Sequence, residues 1–248
     1  MTQALLIALS LAAGDPAPQK ELVVLAAASL RDAFTDLAKT FEASHPGVHV
    51  TLSFAGSQEL RAQVVHGMAA DVFASADAAP LQALQTAGLA RPPTVFARNS
   101  LVVVVPQGNP SAIATFNDLP KARKLVVGIP ESPIGGYTLK VFQRAGFSPS
   151  VIEKRIASRE LNARQVLAKV SLGEADAGVV YRTDALTAKG KVAIVEIPAA
   201  VNEIAEYPVA ALTHGKHPDL AQAFIALLTG ADGQRALAAQ GFLPASTR

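Results

Sequence analysis

The 248-residue chain contains no cysteine. This absence excludes disulfides, thiolate nucleophiles, cysteine-ligated zinc and iron–sulfur clusters. It also predicts a protein that is not lipid-anchored, because a bacterial lipid anchor is attached to a cysteine. Charged residues are few, 17% of the chain, and 22 Lys and Arg against 20 Asp and Glu give a formal charge of +2. Because the basic residues form no run, we expect no nucleic-acid partner.

Long hydrophobic runs are missing beyond the amino terminus. Residues 4–13 form an apolar stretch that is too short to span a bilayer, which needs about 20 residues. Its length is typical of a signal peptide, and the proline-rich segment 14–18 ends it. We therefore predict a signal peptide over residues 1–20 and a periplasmic location. Because residues 1–3 carry no basic side chain, a buried first helix of the folded protein is the alternative.

Sequence motifs of catalytic and metal sites are also absent. The chain has no G-x-S-x-G, H-E-x-x-H, Walker or G-x-G-x-x-G motif. His214 and His217 are three positions apart, but Gly215 and Pro218 break the helix that would place them on one face, which favours a solvated loop over a metal site. Asp71 and Asp77 have no neighbouring nucleophile or base, so we expect them to form strand-end and helix-cap hydrogen bonds. The sequence predicts a protein that is not an enzyme.

The sequence does contain an alternation of buried β-type runs and helical periodicity. This order predicts an α/β protein whose first unit is a mostly parallel sheet covered on both faces. The predicted strands are 22–28, 48–54, 71–74, 99–106, 124–128, 177–181, 192–197 and 207–212. The predicted helices are 30–41, 57–65, 80–87, 137–144, 162–172, 219–228 and 231–240.

Two extended apolar segments separate the two α/β units, and the second segment returns the chain to the first unit. The pattern therefore predicts two lobes joined by two hinge-crossing segments. We assign residues 21–104 and 206–248 to a discontinuous lobe I and residues 105–205 to lobe II. At this length the chain can bury a core without disulfides or structural metals.

A serine stands at each of the first two strand-to-helix junctions. Ser29 follows the first strand, with Asp32 three residues later in a capping-box-like arrangement, and Ser57 opens the next helix. In a parallel sheet both junctions lie at the carboxyl edge of the strands, where helix N-termini expose N–H groups and a positive dipole end. These features predict an anion site. The alternative for each serine is an ordinary helix cap.

Four segments of the chain carry specific sequence motifs: V-L-A-A-A-S-L at 24–30, S-F-A-G-S-Q-E-L at 53–60, A-D-V-F-A-S-A-D at 70–77 and G-V-V-Y-R-T-D-A at 178–185. Together they resemble the periplasmic molybdate-binding proteins of ABC importers. The resemblance implies a type II periplasmic-binding-protein fold, with a ligand cleft between two α/β lobes. It also implies a monomer without a cofactor that captures molybdate, and also tungstate, and delivers it to a membrane permease.

The resemblance also implies the residues that contact the oxyanion. Ser29 and Ser57 match two anion-contacting serines, and Tyr181 matches a tyrosine that contacts the anion from the other lobe. The remaining contacts in the family are backbone N–H groups, which correspond here to Ile134 and Ala163. Because the loop before Ile134 is one residue shorter than in the family, Gly135 is the alternative donor. The metal would enter only as molybdate or tungstate, through these same residues.

The charges of the matched segments fit a site built from neutral donors. None of these segments places a lysine in the cleft, and Arg182 is expected to point away from Tyr181 if its strand continues. A deprotonated tetrahedral oxyanion offers only hydrogen-bond acceptors. The hydroxyl of a protonated phosphate is itself a donor and would face a donor of the site. Two alternatives use the same scaffold. They are an enzyme, which needs a base or nucleophile, and a ligand-sensing domain, which needs a DNA-binding helix pair before residue 21.

Overall fold

The computed structural model describes residues 20–246, and the predicted signal peptide lies outside this range. The strands are β1 (Lys20–Ala27), β2 (Val48–Ala55), β3 (Val72–Ala74), β4 (Thr94–Pro106), β5 (Leu125–Gly128), β6 (Ile156–Glu160), β7 (Ala177–Tyr181), β8 (Val192–Glu196) and β9 (Ile204–Ala211). The α-helices are α1 (Arg31–Ser44), α2 (Ser57–Val65), α3 (Ala78–Thr86), α4 (Pro133–Arg144), α5 (Pro149–Glu153), α6 (Ala163–Ser171), α7 (Arg182–Thr187), α8 (Pro218–Thr229) and α9 (Ala231–Ala239).

The strands form one mixed sheet in the order β2-β1-β3-β9-β4-β7-β5-β6, and β8 pairs with β4. In its first half, β1 runs parallel to β2 and β3, as the alternation of strands and helices predicts. In its second half, β5 runs parallel to β6 and β7. The carboxyl ends of the parallel strands in each half therefore lie at a common edge.

Strand β4 links the two halves. Its first residues pair with β9 over Thr94–Ser100, and its later residues pair with β7 over Leu101–Val104. The chain returns from β8 to β9 through residues 197–203. All pairings of β4 and β9 are antiparallel, so the parallel arrangement is confined to the units β1–β3 and β5–β7.

The core explains why the carboxyl-terminal helices belong beside the first strands. Helix α1 buries Phe34 and Phe41 on one face, as its periodicity predicts. Both rings contact Phe224 of α8 edge-on, with centroid distances of 5.8 and 5.4 Å. Aromatic contacts of this kind add to the free energy gained from burial. None of the helices within residues 20–246 is long and apolar enough to cross a membrane.

Four elements differ from the sequence-based expectation. Strand β6 and helix α5 were not predicted, because β6 is an edge strand without a fully buried residue and α5 is a single short turn of helix. Helix α4 begins at Pro133, before the predicted start at Tyr137, since proline is favoured in the first turn and Ser132 caps the helix. Helix α7 begins directly after Tyr181, so the β7 strand does not continue through Arg182.

Candidate functional site

One small cavity lies where the carboxyl ends of five strands meet. It is lined by Ser29 after β1, Ser57 after β2, Ile134 after β5, Ala163 after β6 and Tyr181 at the end of β7. The structure therefore brings all five predicted site residues together. The cavity measures about 20 Å³, which is far below the roughly 300–1,000 Å³ of sites for organic ligands. Its size suits a compact inorganic ligand.

Ser57 lines this cavity at the start of α2. Its Oγ accepts a hydrogen bond from the backbone N–H of Ala76 at 3.1 Å. A backbone N–H can only donate, so the Ser57 proton is left for a different acceptor. Helix α2 is instead capped by Glu59, whose carboxylate accepts from the N–H of Gly56 at 2.8 Å. Ser57 is therefore not an ordinary helix cap.

Ser29 lies in a single 3-10 turn, Ala28–Leu30, that joins β1 to α1. The capping box expected from Ser29 and Asp32 is absent, because Leu30 occupies the N-cap of α1 and Asp32 pairs with Arg164. That prediction was wrong. The Oγ of Ser29 is instead 3.0 Å from the hydroxyl of Tyr207.

Two helix N-termini point backbone N–H groups at the opposite side of the cavity. The Oγ of Ser132 accepts from Gly135 N–H at 3.2 Å, so this donor is already engaged. Pro133 has no N–H, which leaves Ile134 as the first available donor of α4. At α6, the side chain of Asn162 accepts from the third residue of the helix, Gln165, at 3.1 Å.

The N–H groups of Ile134 and Ala163 stand in the first turns of their helices, where no intrahelical acceptor exists. Neither donates in any hydrogen bond found within residues 20–246. This geometry favours Ile134 over Gly135 as the donor from α4.

Tyr181 adds a hydroxyl to the same side of the cavity. The residue is 2% exposed, and its hydroxyl has no hydrogen-bond partner within the described part of the chain. Burial raises the pKa of Tyr181 well above its ordinary value, so the phenol is a neutral donor. Its ring packs edge-on against Tyr207, with centroids 5.6 Å apart.

Two arginines near the cavity are engaged in ion pairs, whereas Arg31 stacks on the ring of Phe54. Arg182 pairs with Glu196 and donates to Ser100, away from the cavity, although its strand ends at Tyr181. Arg164 bridges Asp184 and Asp32. Burial raises the pKa of Asp184 to about 6, and the guanidinium of Arg164 opposes this shift. None of the residues that line the cavity carries a charged side chain.

The two predicted structural aspartates differ in outcome. Asp71 accepts from the backbone N–H groups of Val23 and His217, each at 2.8 Å, which confirms the predicted strand-end role. Asp77 occupies the N-cap of α3, but its side chain forms no capping hydrogen bond. One physical reason is that Pro80, at the third helical position, has no N–H to donate. Within residues 20–246, no cluster of three histidines and carboxylates suits a metal ion.

Sequence reasoning missed the contacts that hold the cavity-lining residues in place. Tyr207 was predicted only as a strand residue. A tyrosine hydroxyl on a buried strand needs a hydrogen-bond partner, and this need is the signal that could have identified Tyr207. Gln58 donates to the carbonyl of Leu161 at 2.8 Å, and Asp32 pairs with Arg164. Both contacts join the first half of the sheet to the second.

Comparisons with known proteins agree with this geometry. A family model described as bacterial extracellular solute-binding protein matches residues 22–243. The chain is 42% identical over 232 residues to the molybdate-binding protein ModA of Mycobacterium tuberculosis, an alignment that covers 93% of this chain and 87% of that protein.

Solved structures show the same fold. The periplasmic molybdate-binding protein of Azotobacter vinelandii has a TM-score of 0.79 at 22% identity, over 90% of this chain and 98% of that one. The sulfate-binding protein SubI of Mycobacterium tuberculosis has a TM-score of 0.83 at 20% identity, over 91% of this chain and 87% of that one. The predicted α/β fold of a periplasmic binding protein is therefore confirmed.

Proposed function

Because this chain belongs to the family of bacterial extracellular solute-binding proteins, we propose that it captures molybdate outside the cytoplasm and delivers it to the permease of an ABC importer. The observation that carries the proposal is the small cavity lined by neutral hydrogen-bond donors. The 42% identity to a protein named for molybdate binding supports the choice of ligand.

The polarity of the cavity supports a fully deprotonated oxyanion. The donors available to a ligand are the hydroxyls of Ser29, Ser57 and Tyr181 and the N–H groups of Ile134 and Ala163. Hydrogen bonds from such donors to a charged acceptor are stronger than neutral ones, and the helix N-termini of α4 and α6 favour negative charge. Tungstate has the same charge and shape as molybdate, so we propose it as a second ligand.

We further propose that the ligand is held between two lobes, residues 21–104 with 206–248 and residues 105–205. The two chain crossings at β4 and residues 197–203 support this division. The contacts from Gln58 to Leu161 and from Asp32 to Arg164 would then form when the lobes close. We propose that the protein acts as a monomer and releases its ligand unchanged.

Isothermal titration of the ligand-stripped protein against molybdate, tungstate, sulfate and hydrogen phosphate tests the proposal. We expect saturable binding of molybdate and tungstate with one site per chain, and no binding of hydrogen phosphate. A thermal-shift series with the same four anions provides a second readout, since a ligand that binds only the folded state raises the melting temperature. Binding of sulfate alone would reassign the ligand, and no response to any anion would refute the proposal.

A further inference from the structure

Tyr207 lies directly behind one of the two cavity serines. It is completely buried on β9, and its hydroxyl is 3.0 Å from the Oγ of Ser29. Its ring is fixed by edge-on contacts with Tyr181 and Phe242, at centroid distances of 5.6 and 5.4 Å. The phenol oxygen therefore has little freedom to move away from Ser29.

The direction of the hydrogen bond between Tyr207 and Ser29 follows from the surrounding groups. Burial keeps Tyr207 neutral by raising its pKa well above the ordinary value, so its buried proton needs an acceptor. Asn99 lies beside this phenol, but its Oδ1 accepts no hydrogen bond from the described residues, and its Nδ2 donates to Thr183 at 2.8 Å. Among the described residues, only the Oγ of Ser29 meets hydrogen-bond geometry with the phenol oxygen, so we take Tyr207 as the donor to Ser29.

The other serine shows the same arrangement with an unambiguous donor. Ser57 accepts from the backbone N–H of Ala76, which leaves its own proton for the cavity. If Ser29 accepts a hydrogen bond from Tyr207, its own proton is likewise left for the cavity. If Ser29 instead donated to Tyr207, it would turn a lone pair toward the anion and repel it.

We propose that Tyr207 is a positioning residue that directs the Ser29 proton into the cavity and thereby helps the site to prefer deprotonated oxyanions over protonated ones. This inference rests on the proposed function. A serine whose hydroxyl is held as a donor cannot accept a hydrogen bond from the hydroxyl of hydrogen phosphate. A serine whose hydroxyl is free to rotate can accept it.

Substitution Tyr207→Phe tests the proposal by titration with molybdate and hydrogen phosphate. We expect molybdate to bind about tenfold more weakly, the loss of roughly one oriented hydrogen bond, and the preference for molybdate over hydrogen phosphate to fall. In a Ser29→Ala background, Tyr207→Phe should have no further effect on binding, since the two residues act through one contact. Ser171→Ala, which removes a buried hydroxyl outside the cavity, is the matched control and should bind like the unaltered protein.

Replacement of Tyr207 by 3-fluorotyrosine covers the case in which the phenylalanine variant does not fold. The fluorinated phenol is more acidic and hence a better donor, so molybdate should bind more tightly. Unchanged or weaker binding would show that Tyr207 does not donate to Ser29. Unchanged selectivity in Tyr207→Phe, or effects that add fully to those of Ser29→Ala, would also overturn the inference. The proposed function fails separately, if the unaltered protein binds no oxyanion.

Discussion

The cavity has two faces that orient their hydrogens by different physical means. The serine face, formed by Ser29 and Ser57, relies on hydroxyls that can rotate, and each one is held by a bond from Tyr207 or Ala76 behind it. The helix face, formed by Ile134, Ala163 and Tyr181, uses two backbone N–H groups whose directions are set by helix geometry. The serine face therefore depends on side-chain identity, and most of the helix face does not.

Removal of both hydroxyls of the serine face should have the largest effect on binding. Each hydrogen bond to a charged group is worth about 1.5–3 kcal/mol, so Ser29→Ala with Ser57→Ala should weaken molybdate binding by roughly two to four orders of magnitude. Isothermal titration measures the change, and melting of the ligand-free variant checks that the fold is intact. Ser171→Ala is the matched control, because its buried hydroxyl lies outside the cavity. Unchanged affinity in the double variant would remove the serine face from the site.

Removal of one N–H from the helix face should have an intermediate effect. Ala163 is the first residue of α6, where proline fits the helix, and Asn162 before it has the extended backbone that proline requires. Ala163→Pro therefore deletes one donor and should weaken binding about 10- to 100-fold. Ala163→Ser keeps the N–H and serves as the control, with affinity close to that of the unaltered protein. Equal losses in both variants would mean that the size of the side chain matters and the N–H does not.

The same contrast explains how far the site could be predicted from the sequence. The serine face is visible because each serine follows a strand with a clear apolar pattern. Ile134 and Ala163 were predicted as donors only from the family resemblance. Nearly every residue has a backbone N–H, so residue identity does not show which N–H binds a ligand. The choice between Ile134 and Gly135 required the geometry of the Ser132 cap.

The contact between Ser29 and Tyr207 could not be predicted. Ser29 and Tyr207 are 178 residues apart and meet because β9 lies beside β3 in the sheet. The sequence predicts that the chain returns to the first unit after β8, but hydrophobic periodicity does not specify that β9 lies between β3 and β4. Strand β6 was missed for a related reason, as its edge position leaves none of its residues fully buried.

The ion pair between Asp32 and Arg164 should contribute least, because it joins the two faces outside the cavity and Asp32 remains partly exposed. Exposed ion pairs contribute about 0.2–1 kcal/mol, so Asp32→Asn should weaken molybdate binding by about two- to fivefold at low ionic strength. Because salt screens such pairs, the difference should shrink toward none at about 1 M salt. Asp36→Asn, on the same helix but paired with Lys39, is the control and should leave the affinity unchanged. A loss as large as that of the double serine variant, or one that persists at high salt, would mean that Asp32 acts on the ligand site itself and not through closure of the two faces.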